Sequence, residues 1–219
     1  MLHGSGPGVS GWANWRLVLQ SLQSAFRLLA PDLAGFGYSA TPPDLPLTRE
    51  HWLDQIVRFM DALEIDRAHV IGKSFGGSMA LALALAIAHP QRVNKLVLMG
   101  SVGVPFELTP GLDAVWGYEP SLDNMRAIMK IFAEYQSLVG DALVQLRYEA
   151  SKRPGVQEAY SRMFPAPRQR WVDAMSHPEA AIRGIRDSPR CACTAAVGVC
   201  VAGATPPVDN PAPALTVPT

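Results

Sequence analysis

A serine between glycines is the residue of this 219-residue sequence best placed to do chemistry. The pentapeptide Gly72-Lys73-Ser74-Phe75-Gly76 fits the pattern G-x-S-x-G, in which a nucleophilic serine occupies a tight turn between a strand and a helix. Glycines on both sides relieve crowding in the strained turn and expose the hydroxyl. The first turn of the following helix offers N–H groups and a positive dipole end to a developing oxyanion. The pattern therefore predicts nucleophilic catalysis by Ser74.

A glycine-rich segment near the N-terminus, His3-Gly4-Ser5-Gly6-Pro7-Gly8, is the second candidate. Its glycines let backbone N–H groups point at a ligand, and a serine hydrolase uses one such group in its oxyanion hole. Residues 6–11 also fit G-x-G-x-x-G, with Asp32 downstream much as a ribose-binding acid would stand. A dinucleotide site is thus an alternative. It is weakened by Pro7, which has no N–H to donate, and it leaves the Ser74 turn unexplained.

The elements that must position these motifs alternate between helix and strand from residue 12 to residue 101. Apolar spacing predicts helices over 12–26, from about Thr48, and over 76–89, and apolar runs predict strands at 27–30, 69–71 and 93–99. Strands separated by helices indicate a parallel sheet with both faces covered. The predicted fold class is therefore α/β.

The pattern changes after residue 104. Helices with no strand between them are predicted over 121–134, 140–152, 156–163 and 168–176. We therefore divide the chain into a partial core that carries both motifs (1–104), a helical lid (105–178) and an aberrant, disordered tail (179–219).

Composition argues against several classes of protein. Nineteen basic and nineteen acidic side chains cancel, whereas a nucleic-acid binder or a polybasic membrane protein has a basic excess. The longest apolar run, residues 79–88, is half of the ~20 residues that a membrane span needs. No signal segment opens the chain. We expect a cytoplasmic protein with neither a membrane nor a nucleic-acid partner.

Taken together, the motifs resemble the meta-cleavage-product hydrolases, which are carbon–carbon bond hydrolases of bacterial aromatic catabolism with the α/β-hydrolase fold. The resemblance extends from residue 1 to about residue 187, and the lid segments 147–151 and 163–171 resemble the subgroup acting on ring-fission products of monocyclic aromatics. The core motifs that carry it are HGSGPG at 3–8, GWANW at 11–15, APDLAGFGYS at 30–39 and the Ser74 turn.

The resemblance implies a role for each of five positions. Ser74 would be the nucleophile, the amides of Ser5 and Phe75 would form the oxyanion hole, and Asn14 and Arg147 would hold the substrate. The substrate would be a small 2-hydroxy-6-oxohexa-2,4-dienoate, cleaved by serine attack at C6 and retro-Claisen fragmentation. The family needs no metal or organic cofactor, and its full-length members are homo-oligomeric.

Lys73 departs from the family pattern, which usually has asparagine before the nucleophile. Its positive charge could attract the substrate's carboxylate, so we count Lys73 among the substrate-binding candidates. The alternative is a side chain that points away from the site.

The rest of a catalytic triad is not present in the sequence. The family places its acid in a His-Gly-Arg-Glu/Asp-Asp segment and its base in a Cys-Gly-His-Trp segment, and neither occurs. The five histidines are interpreted as structural: His3, His51, His69, His89 and His177.

We expect a chain that is incomplete at both ends, frame-shifted near residues 185–190 and inactive as written. Resequencing the gene tests the shift. The alternatives are an esterase of the same fold or a non-catalytic remnant.

Overall fold

The computed structural model describes residues 1–85 and 90–186. Its sheet has two parallel strands, β1 (Ala68–Lys73) and β2 (Val93–Met99). Leu2 adds to the other edge of β1 through a parallel bridge to Gly72, and its N–H donates to the carbonyl of Ile71 at 2.7 Å. Because parallel chains end at the same edge of a sheet, the segment after Leu2 lies beside the turn that follows β1.

Three helices belong to this part of the chain: α1 (Gly11–Leu22), α2 (Arg49–Ala62) and α3 (Phe75–Ala84). Helix α3 lies on the sheet, and α2 packs on α3. The predicted helix start at Thr48 is confirmed, because its hydroxyl accepts a hydrogen bond from the N–H of His51 at 3.3 Å. Helix α3 begins directly after Ser74 and is buried from Phe75 to Leu83. It is apolar on every side because it packs on both strands.

The lid is helical, as the sequence predicts. Beyond residue 104 the helices are α4 (Pro110–Trp116), α5 (Leu122–Ile131), α6 (Asp141–Ser151), α7 (Val156–Met163), α8 (Gln169–Met175) and α9 (Glu179–Arg186). Short 3-10 turns cover Pro90–Arg92 and Gln136–Leu138. The pattern did not predict α4 and α9. None of the described helices is both long and apolar enough to cross a membrane.

Two predicted elements differ in the structure. Residues 27–30 are not a strand: the one ladder-like bond described for them runs from the Met1 amine to the Leu29 carbonyl at 2.7 Å, and a single bond does not make a ladder. The helix predicted over 76–89 starts at Phe75 and ends at Ala84, since Leu85 is extended; residues 86–89 lie outside the described chain. The uniformly apolar run has no polar residue to mark the helix end.

An aromatic cluster joins the lid to the core. Phe75, at the start of α3, lies edge-on to Trp52 with ring centroids 4.8 Å apart, and it also contacts Phe164 of the lid at 6.5 Å. Trp116 stacks on Phe164 at 4.8 Å with 2° between the ring planes. The Tyr160 hydroxyl donates to the Val115 carbonyl at 2.8 Å. Lid and core therefore share one apolar interior.

Replacing Phe164 should weaken the whole fold. Phe164→Ala removes the stack on Trp116 and leaves a cavity between lid and core, so the free energy of unfolding should fall by about 3–5 kcal/mol. Urea denaturation followed by circular dichroism measures the loss. The control is Leu17→Ala, at a site 69% exposed, where we expect a change within about 0.5 kcal/mol. Equal losses would show that the cluster does not carry the fold.

Candidate active site

The turn that carries Ser74 is strained in the manner expected of a nucleophile. Ser74 has φ 51° and ψ −120°, a left-handed conformation that costs a non-glycine residue energy. Its N–H donates to the carbonyl of Met99 at 3.0 Å, and its carbonyl accepts from the N–H of Val102 at 3.2 Å. A Cβ on Gly72 would lie 2.6 Å from the Cα of Gly77. The predicted strand, turn and helix around Ser74 are confirmed.

The glycine-rich segment lies against this turn. A Cβ on Gly4 would stand 3.3 Å from the Cβ of Ser74. The Gly4 N–H donates to Oδ1 of Asn14 at 3.0 Å, and Asn14 also lines the cavity described below. The two predicted motifs are thus in contact, although about seventy residues separate them along the chain.

His3 has a structural role. Its ring is fully buried, with Nε2 accepting from the N–H of Leu33 at 3.0 Å and Nδ1 donating to the carbonyl of Gly4 at 2.9 Å. Burial lowers its pKa, so the ring is neutral near pH 7. With both nitrogens occupied, His3 cannot take a proton from Ser74. The structural interpretation of this histidine is confirmed.

The N–H groups of Ser5 and Phe75 face no protein acceptor within the described residues. Ser5 lines the cavity beside Ser74, and the Phe75 N–H opens helix α3. The Phe75 side chain is buried in the aromatic cluster and can contribute to the site only through its backbone. Two N–H donors beside a nucleophile make an arrangement suited to an oxyanion.

A cavity of about 280 Å³ opens above Ser74. Four other predicted site residues line it with Ser74: Ser5, Asn14, Lys73 and Arg147. Its apolar wall comes from the lid, namely Met125, Ile128, Met129, Phe132, Ala133, Leu138, Val139 and Leu143. Sequence reasoning did not assign this wall, although the i, i+3, i+4, i+7 spacing from Met125 to Phe132 signals a helix face turned inward. Among the described residues, no histidine or carboxylate lines the cavity.

Two cations share the cavity. Within the described part of the chain, neither Lys73 nor Arg147 pairs with a carboxylate. Burial of its ammonium group, and then the nearby charge of Arg147, lower the pKa of Lys73. Burial likewise lowers the pKa of Arg147, whose Nη2 donates to the carbonyl of Pro7 at 3.2 Å. Like charges held together without a counter-ion favour an anionic ligand.

Asp32 is not available as a ribose-binding acid. Its carboxylate accepts from the N–H groups of Gly11 at 2.5 Å and Tyr38 at 2.8 Å, which closes the loop before α1 onto the loop after residue 32. Each carboxylate oxygen is thus engaged in joining two loops of the protein itself, which disfavours the dinucleotide alternative.

The other described histidines also lie away from the cavity lining. His177 is buried near α8, where burial lowers its pKa, and its backbone N–H donates to the carbonyl of Gly103 at 2.9 Å. His51 is on α2, and His69 is on β1 beside Asn94. His89 lies outside the described residues.

These features define a class of protein. A family model described as alpha/beta hydrolase fold matches residues 1–176, so the chain belongs to the α/β-hydrolase fold family. Within that family the similarity is to enzymes of the meta-cleavage type. The chain is 57% identical over 185 residues to a 2-hydroxymuconate semialdehyde hydrolase from Pseudomonas sp. strain CF600, covering 84% of this chain and 65% of that protein.

Two further comparisons agree. A 2-hydroxy-6-oxo-2,4-heptadienoate hydrolase from Pseudomonas putida F1 is 56% identical over 186 residues, covering 85% of this chain and 67% of that protein. A mutant of the meta-cleavage product hydrolase from Pseudomonas fluorescens IP01, complexed with acetates, superimposes with a TM-score of 0.81 at 49% identity, covering 86% and 68% of the two chains. The chain thus spans about two thirds of the length of these relatives. The first eight residues of the predicted disordered tail, 179–186, form helix α9, so the structure differs from the prediction there. Residues 187–219, which include the three cysteines, lie outside the described residues.

The closeness of the two motifs can be tested with a glycine. A Cβ on Gly76 would meet the backbone carbonyls of Leu2 and His3, which cannot move aside without breaking the pairing with β1. Gly76→Ala should therefore lower the free energy of unfolding by about 2–3 kcal/mol, measured by urea denaturation. In Gly140→Ala the added Cβ meets open space, so the loss should stay below about 1 kcal/mol. A tolerated Gly76→Ala would refute the close approach.

Proposed function

We propose that the protein cleaves a carbon–carbon bond in 2-hydroxy-6-oxohexa-2,4-dienoate-type ring-fission products of monocyclic aromatics. The observation that carries this proposal is one cavity in which a strained serine, two unpaired cations and an apolar wall meet. The substrate class has matching parts: a carboxylate, a reactive carbonyl and an apolar C6 substituent. The names of the relatives, which are hydrolases of such dienoates, support it.

The cationic end of the cavity would hold the substrate's acid group. A guanidinium fork such as that of Arg147 matches a planar carboxylate or enolate, and Lys73 adds a second charge on the same wall. The amide nitrogen of Asn14 donates to a dienoate oxygen, since Oδ1 already accepts from Gly4. These contacts bring C6 to Ser74 and its substituent to the lid wall.

The reaction follows from this placement. Ketonisation of the dienol first builds an electron sink next to the bond that breaks. The Ser74 oxygen then attacks C6, and the N–H groups of Ser5 and Phe75 stabilise the oxyanion. The C6 carbonyl re-forms as the C5–C6 bond breaks. The electrons of that bond pass to the keto group that the ketonisation formed, and 2-hydroxypenta-2,4-dienoate leaves. Water finally hydrolyses the acyl-serine. The described lining of the cavity supplies no base for the Ser74 proton.

Loss of the visible absorbance of a 2-hydroxy-6-oxodienoate tests the proposal under single-turnover conditions with the chain in excess. We expect the substrate to bind and then to decay at a rate several orders of magnitude below that of an enzyme with a complete triad, because the oxyanion donors and binding contacts act without a base. Ser74→Ala should bind the substrate without decay. A chain that does not bind the dienoate at all would overturn the proposal.

An esterase of the same fold would use the same serine and N–H donors but has no need of two cations. It would hydrolyse p-nitrophenyl acetate and ignore the dienoate. A non-catalytic remnant would show no decay of the dienoate above that of Ser74→Ala, even under single-turnover conditions. The three hypotheses therefore predict different results in these assays.

The pH dependence of binding tests Lys73. Because its pKa is lowered, its charge is lost at a lower pH than that of an ordinary lysine, so dienoate affinity should fall as pH rises through a window below 10.5. The dissociation constant is measured in the Ser74→Ala background, which excludes turnover. Adding Lys73→Met should weaken binding about tenfold at pH 7 and remove this alkaline fall. Lys73→Arg should keep the affinity and also remove the fall, since arginine stays charged. Unaltered binding in Lys73→Met would show that the side chain points away.

A further inference from the structure

One hydrogen bond connects the lid directly to the glycine-rich segment. The indole N–H of Trp116, the last residue of α4, donates to Oγ of Ser5 at 3.0 Å, across 111 positions of sequence. The indole is 2% exposed and stacks on Phe164 at 4.8 Å with the rings parallel to within 2°. Because the indole is buried and stacked, the direction in which its N–H points is fixed.

Ser5 has no other anchor in the described structure. Its backbone N–H and C=O make no hydrogen bond to the described protein, so the Trp116 bond is what holds this residue. Gly4 is held through its N–H by Asn14 and through its carbonyl by His3. The Gly6 carbonyl accepts from the N–H of Val9 at 3.2 Å. Ser5 itself, between these two glycines, has no such backbone bond, and glycine neighbours let its peptide units rotate. An N–H donor on such a segment keeps its direction only if something else holds the residue.

The lid also contacts the far end of the segment. Nη2 of Arg147 donates to the carbonyl of Pro7 at 3.2 Å, and a Cβ on Gly8 would lie 2.8 Å from the carbonyl oxygen of Arg147. Helix α6 thus fixes Pro7 and Gly8, and His3 fixes the near end through its own two bonds. Ser5 lies between these anchors, and within the described residues the hydrogen bond from Trp116 is the one that reaches it.

We propose that Trp116 is a positioning residue that orients the Ser5 N–H toward the reacting carbonyl by holding the Ser5 hydroxyl. The inference rests on the proposed role of the Ser5 N–H as an oxyanion donor. Such a donor stabilises the transition state only within about 2.7–3.1 Å of the oxyanion, so a small rotation of Ser5 removes most of its effect. The lid would then contribute to the chemical step as well as to substrate selection.

Three variants isolate the hydrogen bond. Trp116→Phe keeps an aromatic ring on Phe164 but removes the N–H donor, and Ser5→Ala removes the acceptor but keeps the backbone amide. The double variant tests whether the two act as one unit. Trp171→Phe is the matched control, because Trp171 also contacts Phe164, at 6.1 Å, while its N–H points to Pro165.

Amide hydrogen exchange of residues 3–8 measures how firmly the glycine-rich segment is held, and it needs no substrate. We expect exchange about tenfold faster in Trp116→Phe and in Ser5→Ala, no further increase in the double variant, and no change in Trp171→Phe. Strand β2 is the internal reference, since a general loss of stability would raise its exchange as well. Unchanged loop exchange in Trp116→Phe, additive effects, or an equal effect in Trp171→Phe would overturn the inference.

A second measurement connects loop position to reactivity. The rate of Ser74 phosphonylation by a fluorophosphonate should fall about tenfold in Trp116→Phe, because the reagent's oxygen uses the same donors, while the dienoate dissociation constant in the Ser74→Ala background stays the same. A fall in affinity with unchanged loop exchange would assign Trp116 to substrate binding instead. If the dienoate fails to bind while the exchange pattern holds, the proposed substrate is wrong and the positioning role stands.

Discussion

The conformation of Ser74 is the constraint on which the rest of the site depends. A serine at φ 51° persists only if its surroundings hold it, and here a carbonyl at the end of β2 and the N–H of Val102 bond its two backbone groups. Those bonds require β2 to run parallel to β1 in its observed register, with Lys73 beside Met99. The role of the two described strands at the site is therefore to hold the backbone of Ser74 in this conformation.

The lid supplies the parts of the candidate site that the sheet does not. It closes the cavity with an apolar wall, brings the guanidinium of Arg147 next to Lys73, and contacts the glycine-rich segment at Pro7 and Ser5. Two like charges in one cavity, with no described carboxylate paired to either, disfavour the folded state when both are protonated. The aromatic contacts around Phe164 stabilise the lid and so help to offset that repulsion.

What the sequence could predict was local. The Ser74 turn, the Thr48 cap and most lid helices follow from spacing and from residue types within a few positions, and the structure confirms them. The failed strand at 27–30 depended on a pairing partner elsewhere in the chain, and the end of α3 lay in an apolar run without a polar marker. The Trp116–Ser5 bond joins residues far apart in sequence, and nothing in their local pattern signals it. The assignment of roles to Asn14 and Arg147 came from family resemblance, and the structure adds only that both line the cavity.

The crowding around the glycines divides the molecule into parts that differ in their tolerance of change. At Gly72, Gly76 and Gly77 even one added methyl group meets neighbouring atoms, so a larger side chain there forces the backbone to shift. The exposed part of the cavity wall has no such restriction: Phe132 and Leu138 are 65% and 68% exposed, whereas Met125 on α5 is fully buried. Replacements at the exposed positions can therefore reshape the cavity wall while the nucleophile turn stays intact.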